Sequence, residues 1–191
     1  MKKNYFICKQ MSFSRKLRRM LREYRDGNYT QCLKSIANIT KDNPEVMDYP
    51  YILNKIINCL ANIKEFDKVL IYTNLLLNSK DSEAEKYYIS AYVRNAEALL
   101  VQAKYTEALC YCDIFCRYDK QRGDFLTLKA TCLFGLGHKQ RALTMINKIL
   151  KMGHKNDELY MLKVHCMMSV GCTDSEMTDV MLKMNNVASL L

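Results

Sequence analysis

The sequence predicts an all-α solenoid of about five helix-turn-helix repeats, and three observations carry that expectation. Ile89 to Leu150 holds one helical hairpin written twice at an offset of 34 residues: Ala96 answers to Ala130, Leu99 to Leu133, Ala103 to Gly137, Ala108 to Ala142, Leu109 to Leu143 and Cys112 to Ile146. A period of that length, with small residues recurring among large apolar ones, marks a stacked array in which each hairpin buries its face on the next. Six Gly and two Pro in 191 residues are too few for a many-stranded β fold with its repeated tight turns. Third, the residues after each expected close-packing position, Leu33, Leu70, Leu109, Leu143 and Met177, are spaced by 37, 39, 34 and 34. The two longer intervals place inserted residues in the connections.

Each element follows in order. Residues 1–13 lack a sustained period and read as a loose basic arm. From Ser14 to Arg25, Leu17, Met20, Leu21 and Tyr24 fall at i, i+3, i+4 and i+7, which predicts a helix with one apolar stripe and arginine flanks. Gly27, Tyr29, Cys32 and Leu33 supply a turn and a second helix, and Asp42-Asn43-Pro44 ends it, since Pro cannot continue a helix. Pro50, whose ring pre-sets φ, opens a second repeat carried by Leu53, Ile56, Ile57 and Leu60, then Phe66, Val69 and Leu70. Ser82 and Glu85 have capping-box spacing and predict the next helix near Glu83. A fifth repeat starts at Asp157, with Tyr160, Val164, Met167 and Gly171 in register but Glu176 where a small residue is usual. Thr173 with Glu176 is a second capping box, after which Met177, Val180, Met181, Met184, Val187 and Leu191 recur at three- and four-residue steps. A stripe rich in flexible Met suits an adaptable surface, so residues 173–191 are expected to contribute to self-association or to a partner's interface. The repeats run roughly over 14–46, 50–80, 83–120, 123–154 and 157–191, in one continuous solenoid.

Composition narrows the setting. Nine cysteines is an odd count with irregular spacing, and Met1 to Gln10 is too polar and too short for a signal-peptide core, so a reducing compartment, cytoplasmic or nuclear, is expected. No apolar run approaches the length of a membrane span. The net charge of +9 is concentrated: residues 1–25 carry nine Lys or Arg against Glu23 alone.

No cluster points to catalysis, a cofactor or a metal. Cys112 and Cys116 lie one helical turn apart beside Cys110, but their counterparts one repeat later are the core residues Ile146 and Leu150, and a buried Cys behaves as a small hydrophobe. Gly135-Leu136-Gly137-His138-Lys139 lacks the Gly-Lys-Ser/Thr ending of a phosphate loop and falls on an inter-helix turn. The protein is expected not to be an enzyme.

The stretches AEALLVQAKYTEALCYCDIF and ATCLFGLGHKQRALTMINKI resemble the tetratricopeptide (TPR) repeat, with its small residue in the first helix, its turn carrying Gly and an aromatic, and its small residue in the second. Ala96, Ala103, Tyr105 and Ala108 hold those places, then Ala130, Gly137, Lys139 and Ala142; Lys139 departs from the aromatic. The resemblance implies a right-handed superhelix that binds a peptide segment of a partner protein in a concave groove lined by first-helix residues. Those are Tyr24, Tyr51, Asn54, Asn58, Val93, Arg94, Glu97, Leu100, Thr127, Thr131, Phe134, Met161, His165 and Met168. It also suggests a lesser alternative, gripping the C-terminal carboxylates of Hsp70 and Hsp90 chaperones through Asn54, Asn58, Arg94, Asp124 and Leu128, which the negative charge of Asp124 opposes. The residues themselves offer another alternative: Arg15, Lys16, Arg18, Arg19, Arg22 and Arg25 could neutralise phosphates of nucleic acid or of an anionic lipid surface.

Overall fold

The computed structural model describes residues 2–115 and 123–188, and no strand occurs among them. Ten α-helices and two 3-10 segments account for most of these described residues: α1 (Lys2–Arg25), α2 (Tyr29–Asp42), a 3-10 turn (Pro44–Asp48), α3 (Pro50–Asn62), α4 (Phe66–Leu77), a second 3-10 turn (Ser82–Ala84), α5 (Glu85–Val101), α6 (Tyr105–Phe115), α7 (Gly123–Gly135), α8 (Lys139–Lys151), α9 (Asp157–Val170) and α10 (Asp174–Ala188). The helices form two units, Met1–Ala98 and Leu99–Leu191. In the first, α1 packs on α2, α2 on α3 and α3 on α4, with the 3-10 turn at Pro44–Asp48 against both α2 and α3. In the second, each helix from α6 to α10 packs on the next, and the first helices α7 and α9 also touch.

One backbone device joins the two helices of each hairpin. Gly27, Lys64, Ala103, Gly137 and Gly171 all have positive φ, between 56° and 80°, and they stand 37, 39, 34 and 34 residues apart, the intervals read from the sequence. The residue after each returns its N–H to a carbonyl five residues back: Asn28 to Glu23, Glu65 to Leu60, Lys104 to Leu99, His138 to Leu133 and Cys172 to Met167, at 2.8–3.1 Å. This left-handed C-cap satisfies carbonyls that the helix end leaves without partners. Glycine takes that conformation without strain, whereas Lys64 holds it against the contact of Cβ with its own carbonyl. Lys64→Gly is therefore expected to raise stability by about 0.5 kcal/mol, the relief of strain exceeding glycine's larger entropy loss. Urea denaturation measures it, and a lower midpoint would contradict the strained-turn reading.

Five residues beyond the first four turns lie Cys32, Val69, Ala108 and Ala142, all wholly buried. At the fifth turn Glu176 stands there instead and is exposed. Its carboxylate accepts from the backbone N–H and the hydroxyl of Thr173, both at 3.0 Å, so the residue that breaks the packing pattern caps α10. The aromatic of the turn has a visible task in the second unit. A Cβ on Gly135 would stand 2.5 Å from ring atoms of Tyr105, so the absence of a side chain on α7 lets the first residue of α6 lie against its backbone.

The first unit's core gathers Met20, Cys32, Ile39, Ile57, Val69 and Leu76. In the second, Ala130, Ile146, Ile149 and Leu159 form one cluster, and Tyr160, Val164, Met167 and Val180 another that seats α10.

Two local expectations need correction. The capping bond before α5 comes from Asp81, whose carboxylate accepts from the Glu83 N–H at 2.9 Å, and residues 82–84 form a 3-10 turn. Ser82 is thus inside the helical run, because a carboxylate one residue earlier already serves the free N–H groups. Likewise α1 begins at Lys2, well before Ser14, so the backbone of the expected loose arm is helical. Cys116 and Leu191 lie outside the described residues. Of the companions expected for Cys116, Cys110 is exposed and Cys112 buried, the latter donating its thiol proton to Cys132 and holding that thiol below its usual value.

Candidate peptide-binding face

First-helix side chains form a connected polar row in the Met1–Ala98 unit. Tyr51, Asn54 and Asn58 recur on one side of α3 at helical spacing. The Asn58 amide nitrogen donates to the Asn54 carbonyl at 2.9 Å, and its oxygen accepts from Nε of Arg94 on α5 at 3.0 Å. Arg94 also donates through a terminal nitrogen to the Glu97 carboxylate at 2.8 Å, so its charge is matched within its own helix. These residues came from separate repeats of the sequence, and the structure brings Asn54, Asn58, Arg94 and Glu97 into one row. Val93, also on α5, is half-buried beside it.

An aromatic and cationic corner continues the row toward α1. The Lys55 ammonium sits 3.8 Å from the ring centroid of Tyr24 and 5.2 Å from that of Tyr51, an attraction between cation and ring face. Tyr51 meets Tyr87 edge to face at 6.4 Å, and Tyr24 meets Tyr29 likewise at 6.0 Å. Burial raises both the Tyr24 and Tyr51 hydroxyl pKa values, moving the phenols further from ionisation than an ordinary tyrosine. Lys55 was not among the sequence-predicted groove residues. The signal existed: it lies one turn after Tyr51 on the helix that carries Asn54 and Asn58.

The six-residue basic patch divides across α1. Lys16 pairs with Asp42 and Arg19 with Glu23, both beside a hollow that Ser35, Asn38 and Lys41 of α2 help line. Arg18, Arg22 and Arg25 fall at i, i+4 and i+7 and line a separate hollow of about 460 Å³ with Leu21, Tyr24, Tyr51 and Lys55. Arg15 is exposed and lines neither.

The Leu99–Leu191 unit offers a different chemistry on its first helices. Thr127 and Thr131 donate their hydroxyls to the carbonyls of Gly123 and Thr127, four residues earlier, so these groups are satisfied within α7. Phe134 of α7 and His165 of α9 stack with ring centroids 6.5 Å apart. Met161 and Met168 are 45% and 62% exposed, and Leu100 is half-buried. The face is apolar where its counterpart in the first unit is polar and charged.

Repeated helical hairpins closed by one turn geometry define an all-α protein with a TPR-like solenoid fold, and comparison with known structures agrees. No protein-family model and no curated protein matches the sequence. Among solved structures, MamA 41-end from Desulfovibrio magneticus RS-1 is similar at a TM-score of 0.74 and 12% identity, over 93% of this chain and 95% of that one. A thermophilic TPR protein from Thermus thermophilus is similar at 0.62 and 16% identity, over 94% and 100%. Identities this low speak to the fold alone. Among the described residues, no helix is long and apolar enough to cross a membrane.

Proposed function

We propose that this protein is a non-enzymatic interaction adaptor that holds a segment of a partner protein along its first-helix faces. The observation that carries the reading is the hydrogen-bonded row Asn54, Asn58, Arg94 and Glu97, in which the buried Asn58 ties α3 to α5 and beside which Tyr51 is exposed. Preformed amides and a guanidinium on packed helices bind with little ordering penalty, and the adjoining rings give apolar anchors. The exposed Met161 and Met168 beside the stacked Phe134 and His165 offer the second unit a softer apolar contact of the same kind. The chaperone-carboxylate alternative fits less well, because Asp124 brings a like charge.

Site-specific photo-crosslinking tests the face. A benzophenone amino acid at Tyr51 or Phe134 should capture a partner. The same group at Ile71, 59% exposed on the second helix α4, should not. Capture from Ile71 alone would place the interaction elsewhere and refute the proposal.

A second interface is favoured by α10. Val180 is buried against α9 while its neighbours Met181 and Leu182 are 46% and 56% exposed, so the apolar stripe is wider than its packing uses. We propose that this edge supports self-association. Met181→Glu with Leu182→Glu should convert an oligomer to a monomer in sedimentation with helicity retained. A natural chain that stays monomeric at all workable concentrations rejects the idea, and unfolding of the double variant would mean that both side chains are needed for packing.

A further inference from the structure

We infer that the hollow between α1 and α3 is an anchor for acidic side chains of the bound partner segment, an assignment that rests on the peptide-binding reading above. Its lining holds four cations, Arg18, Arg22, Arg25 and Lys55, together with Leu21, Tyr24 and Tyr51, and no acid. Arg18 donates its Nε only weakly, to the Ser14 carbonyl at 3.3 Å, and Lys55 is turned over tyrosine faces. Four positive charges brought together without a counter-charge repel one another, and a ligand carboxylate relieves that repulsion as it forms its own charged hydrogen bonds. The apolar members add a preference for an aliphatic or aromatic residue beside the acid. Tyr51 lines this hollow and lies about one helical turn before Asn54 on α3, so one extended segment can meet Asn54 and place its acidic residues here.

The same observations argue against a nucleic-acid strand. A phosphate backbone is followed by a continuous cationic track, with aromatic faces open for bases to stack on. Here Lys16 and Arg19 point to the other side of α1 and are held by Asp42 and Glu23. The Tyr24 face that a base would use is covered by the Lys55 ammonium at 3.8 Å. Arg18, Arg22, Arg25 and Lys55 gather in one hollow whose volume suits a few side chains.

Panning a displayed library of random 12-residue peptides on the full chain tests the assignment. The expected winners carry Asp or Glu next to Leu, Phe or Tyr. The strongest of them, made as a labelled peptide, should lose about ten-fold in affinity to an Arg22→Gln, Arg25→Gln variant, two partly exposed charge contacts at a few-fold each, and should weaken as salt is raised. A Lys34→Gln, Lys41→Gln variant removes the same charge from α2 and should bind as the natural chain does. Circular dichroism verifies that both variants are folded. Enriched peptides without acidic bias, bound equally by both variants, would leave the groove reading standing and overturn the acidic anchor. No enriched peptide at all overturns both readings. Tighter binding of a single-stranded 20-nucleotide probe than of any peptide, lost with Arg22 and Arg25, would assign the cations to nucleic acid instead.

Discussion

Ala130→Leu is expected to lower stability by about 1–3 kcal/mol, because Ala130 is wholly buried where α7 meets its neighbours and has no room for three more carbons. Leu126, Leu133, Ala142, Ile146 and Ile149 share its cluster, and an inserted isobutyl group must push one helix away or force side chains off their rotamers. The hairpin geometry as such does not require a small residue here. Seven residues before the turn, the same place holds Met20 and Ile57 in the first two hairpins and Ala96 in the third, all buried. What makes position 130 intolerant is how completely the large neighbours already fill the space. Urea denaturation of the purified variant measures the loss, and an unchanged midpoint would reject the packing described for α7.

Glu23→Ala should cost about 2 kcal/mol, through loss of the hydrogen bonds that Ser35 and Arg19 make to a charged acceptor. The Glu23 carboxylate is nearly buried, with a side-chain exposure of 12%. Ser35 donates its hydroxyl to one oxygen and Arg19 donates its Nε to the other at 2.8 Å. Burial alone raises the carboxyl pKa, but the hydrogen bonds from Ser35 and Arg19 and the charge of Arg19 together hold it below its usual value. The sign follows by linkage: a native carboxyl that releases its proton more readily than the unfolded one stabilises the fold above the unfolded pKa. That contribution fades as pH falls through the native value. The gap in melting temperature between the natural chain and Glu23→Ala should therefore narrow between neutral pH and the acid side of the carboxylate range. A gap that stays constant across that window would show that the carboxylate's charge plays no part.

This pair also shows what charge counting along α1 leaves out. Arg19 and Lys16 read as members of one cationic surface, yet each has an acid from its own helix or from α2 as partner. Spacing along one helix shows which residues share a face of that helix; it does not show what the facing helix supplies.

The sequence by itself determined the class of fold, the number of hairpins and their register. The intervals of 37, 39, 34 and 34 residues reappear unchanged in the left-handed turn residues Gly27, Lys64, Ala103, Gly137 and Gly171. They were legible because a hairpin repeat is a local object: helical period, turn residue and close-packing residue lie within one 34-residue window, so their physics is written contiguously. Which of the first-helix side chains meet was decided only by tertiary structure. Asn58 and Arg94 are 36 residues apart and become partners because α3 and α5 carry them to one place. Lys55 becomes part of a cationic hollow only once α1 supplies Arg22, Arg25 and the Tyr24 ring. Even the start of α5 was settled by competition between neighbours, Asp81 taking the cap from Ser82. Short-range periodicity fixes where helices run, whereas the pairing of charges and amides between helices depends on distances across the stack that no single window of sequence contains.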